Sequence, residues 1–354
     1  MHVILDFDGT ITVNDTVDQL ANFAVAFQQA QDAQVQSARS IDDDNGDNSD
    51  NGGWEARWTG IVDKYLADHK EHKAGYAPTE DARTTLDHEL AFLRSLHGVD
   101  CKSIYRLREA RLFAGMAPDC LYEGGRQAVE RGEDGGNQDK KHTVHLRPGF
   151  AAFLKQMSAQ RKWPVSIVSV NWSDSWIRGV LRADDNDNNN KSEDAAGIRV
   201  FANKVTESGA IIPNFPRQDA PANHDHDHDD NVPFASCSDK VEALEAAVAA
   251  ATKSRPEQSA AVVYMGDSTT DLECLVHAGK NRNGGGGGGG IAMANGDGPA
   301  TSKLIQTLVR LGYTVPHVSE AERFQRPRSD DEGNAPRLAW ARDYDEIMAS
   351  QILD

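Results

Sequence analysis

MHVILDFDGTIT, residues 1–12, interrupts an apolar run of Val3, Ile4, Leu5 and Phe7 with two aspartates, Asp6 and Asp8, followed at once by Gly9 and Thr10. Asp and Gly are common where a strand ends and turns into solvent. A nucleophile held at the carboxyl edge of a buried parallel strand has the same local appearance. Residues far along the chain decide between the two.

Further short apolar runs read as buried strands: Val165–Val170, Ala261–Met265 and Ile291–Ala294. Continuous runs of this kind suit a parallel sheet covered on both faces. Helical patterns alternate with them, at Phe150–Met157, Asp239–Ala251 and Leu272–Ala278. Strand alternating with helix predicts an α/β fold with a doubly wound, Rossmann-like parallel sheet. Residues 197–205 with 210–212 add a strand or hairpin. The interval from 14 to 145 is too long for one crossover. Its apolar periodicity over Thr16–Gln28, Trp54–His69, Leu86–Leu96 and Ile104–Phe113 predicts a helical domain inserted after the first strand.

The 354 residues carry a net charge of −18, and three polar tracts, 41–53, 184–194 and 216–230, supply most of it. With the rest only mildly acidic, a basic face for nucleic acid is not expected. Segments 41–53, 131–141, 183–195, 216–231 and 281–290 read as flexible insertions. HDHDHDD at 224–230 is compatible with weak metal binding, but its Asp and Asn neighbours favour a loop expansion. The seven glycines at 284–290 lack the Lys-Ser/Thr ending of a phosphate loop and read as a linker. Four cysteines without metal-type or redox-type spacing suggest free thiols. No apolar run reaches membrane-spanning length, and residues 1–7 read as a strand, not as a signal peptide. The expectation is a cytoplasmic (or also nuclear), non-secreted protein.

Four features fall just beyond predicted strands or at the start of a following helix: Asp6-Phe7-Asp8-Gly9-Thr10, then Ser169, then Lys240 in CSDKVEAL, then Asp267 and Asp271 in GDSTTD. Open α/β sheets bind ligands at that edge. Alone, Ser169 is an ordinary strand-end residue and Lys240 an ordinary solvated charge. Together and in this order they reinforce one another.

That order, Asp-x-Asp-Gly-Thr, Ser, Lys and Gly-Asp-x-x-x-Asp, resembles the haloacid dehalogenase superfamily over about residues 1–13 and 145–320. The helical insertion resembles its first (C1) type of cap. DFDGTIT, LRPGF at 146–150 and GDSTTD are most similar to phosphoserine-phosphatase-like enzymes, including the 2-hydroxy-3-keto-5-methylthiopentenyl-1-phosphate phosphatases of methionine salvage. The resemblance implies a discontinuous core, residues 1–13 and 145–354, with a cap at 14–144. It also implies a Mg²⁺-dependent phosphatase that hydrolyses a small-molecule phosphate monoester through an aspartyl-phosphate.

On that resemblance Asp6 is nucleophile and metal ligand. Asp8 is the general acid and base, and its backbone carbonyl also meets the metal. Asp267 is a metal ligand, and Asp271 holds a metal-bound water or orients Lys240. Ser169, Asn171, Thr10 and Lys240 bind the phosphate, while Gly9 lets the chain turn and leaves N–H groups to face it. Asp15 lies where phosphoserine phosphatases carry a substrate-reading acid; as a residue it is equally a helix N-terminal Asp. Ser169-Val170-Asn171-Trp172 departs from the Ser-Gly-Gly or Ser-Ser-Gly of the most similar families. Trp172, Trp176 and Trp54 are candidates for an apolar leaving-group pocket or for the core. Asp8 separates the chain from the superfamily's dehalogenases, which lack that acid, and from its P-type ATPases, which carry Thr. The rival readings are a non-catalytic or regulatory protein of this fold, which binds a phosphorylated ligand or a partner, and a protein phosphatase or phosphomutase.

Overall fold

A computed structural model describes residues 1–39, 53–133, 143–182, 197–217, 232–254, 261–280, 288–296, 298–324 and 335–354. Six strands form one parallel sheet: β1 (His2–Leu5), β2 (Val165–Val168), β3 (Arg199–Phe201), β6 (Val262–Gly266), β7 (Gly289–Met293) and β8 (Leu338–Ala341). Their spatial order is β3-β2-β1-β6-β7-β8. A separate antiparallel pair joins β4 (Asn203–Val205) to β5 (Ile211–Pro213). The stretch expected to add a strand or a hairpin therefore does both, since β3 extends the main sheet.

Alternate side chains of each strand enter opposite layers, as the two-residue period requires. Val3 and Leu5 pack with Phe150 and Phe153 of α6 (Phe150–Lys155) and Tyr344 of α11 (Tyr344–Ser350). Ile4 and Tyr264 pack with Leu244 of α8 (Cys237–Ser254), Leu275 of α9 (Leu272–Gly279) and Leu304 of α10 (Lys303–Arg310). The sheet is thus an α/β core covered on both faces.

From β1 the chain winds one way to β2 and β3, and from β6 the other way to β7 and β8. The reversal lies between β1 and β6, paired from His2↔Val262 to Leu5↔Met265. Loops leaving the carboxyl ends of these two strands diverge, which opens a crevice at that edge.

Between β1 and α6 the described residues form five α-helices: α1 (Val17–Arg39), α2 (Gly53–Gly75), α3 (Leu86–Ser95), α4 (His97–Glu109) and α5 (Pro118–Glu133). The chain leaves the core and returns to it side by side, through an antiparallel bridge of Thr12 with Leu146 and Val13 N–H donating to His145 O at 2.9 Å. The inserted helices are tied back to the core. Glu89 of α3 accepts from Arg83 at 2.8 Å and from Arg310 of α10 at 2.7 Å.

Two segment readings are corrected. The glycine run does not end as a linker at 290, because Gly289 and Gly290 belong to β7. A Cβ on Gly289 would lie 2.2 Å from the Phe324 ring, so the strand packs where only glycine fits. Residues 131–133, assigned to an insertion, close α5. Apart from these, residue 53 in α2, residues 216–217 and residue 288, the expected insertions lie outside the described residues, HDHDHDD included. No helix among the described residues is long and apolar enough to cross a membrane.

Candidate active site

The first motif leaves β1 into the crevice. Asp6 N–H still pairs with Met265 O at 2.8 Å, so its side chain sits at the strand edge with only 4% of the residue exposed. Beyond it Gly9 adopts a φ of 69°, a left-handed conformation that glycine tolerates. A Cβ there would fall 2.1 Å from Asp267 Oδ2, so the glycine also lets the two loops approach. Its own N–H is taken up within the loop. It donates to Thr12 Oγ1 at 3.2 Å and to Asn14 O at 3.4 Å.

The crevice brings Asp6, Lys240, Asp267 and Asp271 together. Lys240, in the first turn of α8, is fully buried and donates to Asp271 Oδ1 at 2.6 Å and Asp6 Oδ2 at 2.9 Å. Burial works against its ammonium, but Asp271 and Asp6 outweigh that and hold its pKa above the ordinary lysine value. Asp271 is committed on both oxygens. Tyr264 donates to Oδ1 at 2.6 Å, and the Ser268 N–H and hydroxyl donate to Oδ2, both at 3.1 Å. It holds Lys240 in line with Asp6.

Ligand oxygens of Asp6, Asp267 and Asp271 lie within 4.8 Å of one another, close enough for one cation. Asp6 Oδ1 is buried and has no hydrogen-bond partner. Burial, with Asp271 and Asp267 beside it and Lys240 opposing, pushes Asp6 well above the usual carboxylate range. Asp267 is pushed up to about 7, by burial first and then by Asp271. Crowded, underpaired carboxylate oxygens are the donor set of a hard divalent cation, so the residues fit Mg²⁺. Because Asp271 is already engaged, Asp6 and Asp267 are the side chains left to hold the ion. Thr10, expected on the phosphate, instead donates its hydroxyl to Asp267 Oδ1 at 3.3 Å.

Asp8 faces the other side of the crevice. Its Oδ1 accepts from Thr16 N–H at 2.9 Å and Thr16 Oγ1 at 2.7 Å, and its Oδ2 from Asn171 Nδ2 at 2.8 Å. Burial and then Asp15 raise its pKa to about 7, against the hydrogen bonds from Asn171 and Thr16. A carboxyl near 7 is suited to exchanging protons at neutral pH.

Ser169 and Asn171 lie in the loop after β2, with Ser169 Oγ accepting Asn171 N–H at 3.1 Å. Buried Asn203 steadies this loop by donating from Nδ2 to Val170 O at 3.3 Å and Asn171 O at 3.1 Å. Arg147, from LRPGF, does the same for the first motif. It donates to Gly9 O, to Thr10 O at 3.1 Å and to Asn295 Oδ1 at 2.8 Å.

A cavity of about 410 Å³ opens between the inserted helices and the β2 loop, lined in part by Asp15, Trp58, Tyr65, Asp100, Val170 and Trp172. Asp15 lines it and also caps α1, accepting Val17 N–H at 2.7 Å. Trp172 lines it, whereas Trp176 is core and Trp54 donates its indole N–H to Asp32 at 2.6 Å. Sequence reasoning missed Tyr264, Thr16, Arg147, Trp58, Tyr65 and Asp100 as functional residues. Tyr264, the one polar-tipped side chain in AVVYM, and Arg147, within LRPGF, carried a usable signal.

No family model matches the chain, and no curated protein matches it. Among solved structures it is similar to a phosphoserine phosphatase with an analogue of its phospho-aspartyl intermediate, at 14% identity and a TM-score of 0.36, covering 82% of this chain and 85% of that one. A substrate-bound phosphoserine phosphatase gives 11% and 0.42, covering 98% and 96%. A haloacid dehalogenase family hydrolase from Salmonella enterica serovar Typhi gives 14% and 0.37, covering 82% and 61%.

Proposed function

We propose that this chain is a Mg²⁺-dependent phosphatase of the haloacid dehalogenase superfamily that hydrolyses a small-molecule phosphate monoester through a phosphoryl group carried on Asp6. In this reading residues 14–144 form a cap over a core of residues 1–13 and 145–354. The observation that carries it is Asp6 Oδ1, buried and unpartnered at the point where the sheet reverses, while Lys240 holds Oδ2 at 2.9 Å. A carboxylate with one oxygen anchored and the other open is oriented for in-line attack.

Asp6 Oδ1 attacks phosphorus, the bond from phosphorus to the ester oxygen breaks, and Asp8 gives its proton to the leaving alkoxide. Water then attacks the phosphorus of the Asp6 acyl phosphate, and Asp8 takes a proton from it. Orthophosphate leaves and Asp6 is restored. A pKa of about 7 lets Asp8 serve both steps. Splitting the reaction in this way replaces one very slow hydrolysis by two displacements. Lys240, Ser169 and Asn171 offset and orient the transferring group, and Thr10 steadies Asp267. Mg²⁺, when held by Asp267, the Asp8 carbonyl and the Asp6 oxygen that does not attack, would supply charge neutralisation for the approach of carboxylate to phosphate.

The test is a panel of phosphorylated metabolites with p-nitrophenyl phosphate, assayed with and without Mg²⁺ on the full chain and on Asp6→Asn. Mg²⁺-dependent turnover that falls about 1,000-fold or more in Asp6→Asn is expected. Turnover without metal, or turnover that survives the substitution, contradicts the mechanism.

A further inference from the structure

The residues at the sheet edge deal with the phosphate and say nothing of the alcohol it esterifies. That group has to lie in the cavity beside them, which shares Asp15 and Val170 with the rim of the site. The cavity has two kinds of polar and aromatic wall. Asp15 and Asp18 at the start of α1 and Asp100 of α4 contribute carboxylates; Trp58 and Tyr65 of α2 and Trp172 contribute rings. Among the described lining residues there is no lysine, arginine or histidine.

Among the described residues no ion pair holds Asp15, Asp18 or Asp100, and the charges of His97 and Lys240 reach Asp100 and Asp15 only through space. Asp100 Oδ1 accepts only the neutral Tyr65 hydroxyl, at 3.2 Å, and Asp15 accepts a backbone N–H. His97, Lys102 and Arg106, on the same helix as Asp100, pair with other acids, His97 with Asp239 at 3.4 Å. Lys102 pairs with Asp68 at 3.1 Å and Arg106 pairs with it at 2.5 Å, outside the cavity. Burial pushes Asp100 up to about 6, with Tyr65 and His97 opposing, which marks a carboxylate short of positive partners. The rings are fixed: Trp172 stands edge-on to Trp58 at 6.1 Å and 84°, and to Phe113 at 6.0 Å and 79°. Aromatic faces flanked by acids attract alkylammonium groups and offer a carboxylate no counter-charge.

Resting on the phosphatase reading, we propose that the cavity selects phosphate esters of alkylammonium alcohols and turns away esters whose alcohol carries a carboxylate, amino-acid phosphates included. The ammonium sits among Asp15, Asp18 and Asp100, with its alkyl groups against Trp58 and Trp172.

The test compares kcat/KM for phosphocholine, phosphoethanolamine, O-phosphoserine and 3,3-dimethylbutyl phosphate, the uncharged isostere of phosphocholine. At least one of the two cationic esters is expected to exceed both O-phosphoserine and the isostere by about tenfold or more. In Asp100→Asn the preference for cation over isostere collapses, while in Asp68→Asn, which removes the same charge outside the cavity, it persists. Preference for O-phosphoserine or the isostere, or an equal collapse in both variants, overturns the proposal and leaves the phosphatase reading standing. If no ester is hydrolysed, p-nitrophenyl phosphate included, the phosphatase reading fails instead. Calorimetric titration of the full chain with choline and with 3,3-dimethylbutanol then decides the cavity. Binding of choline alone supports it, and equal or absent binding overturns it.

Discussion

Asn171 donates from Nδ2 to Asp8 Oδ2 at 2.8 Å, so a side chain of the second motif fixes the carboxylate of the first. The bond joins the loops after β1 and β2 and stabilises the charged form of Asp8 against burial. The departure from Ser-Gly-Gly at 169–171 thus has a counterpart in the site. Asn171 provides a donor that a glycine lacks.

This bond makes a prediction in pH. In the proposed mechanism Asp8 must be protonated to release the alcohol, so kcat/KM should fall as pH rises through its pKa near 7. Asn171→Ala removes a donor to the carboxylate and moves that descending limb to higher pH. Asp15→Asn removes a neighbouring negative charge and moves it lower. Rate profiles of the two variants against the parent chain read the opposite shifts.

A second prediction concerns Gly9. Alanine there would drive a methyl into Asp267 and hold a left-handed backbone at a cost. Gly9→Ala should weaken Mg²⁺ binding by about tenfold or more while far-ultraviolet circular dichroism stays unchanged. Calorimetric titration with Mg²⁺ measures it.

Arg147 supports the first motif, and removing it strands the carbonyl oxygens of Gly9 and Arg342 and leaves Thr10 O with the Tyr344 hydroxyl at 3.3 Å. Arg147→Ala should cost about 3 kcal/mol of stability or more in urea unfolding. Because the nucleophile loop loosens, kcat should fall about 100-fold with KM little changed.

Metal-free stability should depend on pH with a definite sign. Asp8 and Asp267 both have folded pKa values of about 7, above the ordinary aspartate value of 3.8. The folded chain then binds more protons than the unfolded one between those limits, so stability falls as pH rises from about 4 to about 7. If the ionised carboxylates hold Mg²⁺ as proposed, the ion should raise the melting temperature more at pH 8 than at pH 5. Melting curves with and without the ion at both pH values check this.

What the sequence reveals depends on how local the signal is. Val3–Leu5 and Val262–Met265 are continuous apolar runs, so β1, β6 and the acids at their ends are readable from residue order. Leu338–Ala341 is as short and apolar as Ile291–Ala294 but has no motif beside it to single it out, yet it completes the sheet by pairing with β7. Gly289 and Gly290 look like linker because nothing local reveals the Phe324 ring and Leu275 carbonyl that press on them. The same holds at the site. Asp6, Lys240 and Asp271 are announced by motif order, whereas Thr16 and Arg147 act through contacts 8 and 137 residues away in sequence. Trp58, Tyr65 and Asp100 reach the cavity from two separate helices, a convergence that helical periodicity does not encode.

The most direct measurement of the central claim is chemical trapping of the phosphoryl group on Asp6. Acid quenching during turnover with Mg²⁺, followed by borohydride reduction, converts an aspartyl phosphate into homoserine, which peptide mass spectrometry locates. Homoserine is predicted at position 6 and only when substrate and Mg²⁺ are both present. Turnover with position 6 unmodified and homoserine at another aspartate would contradict it.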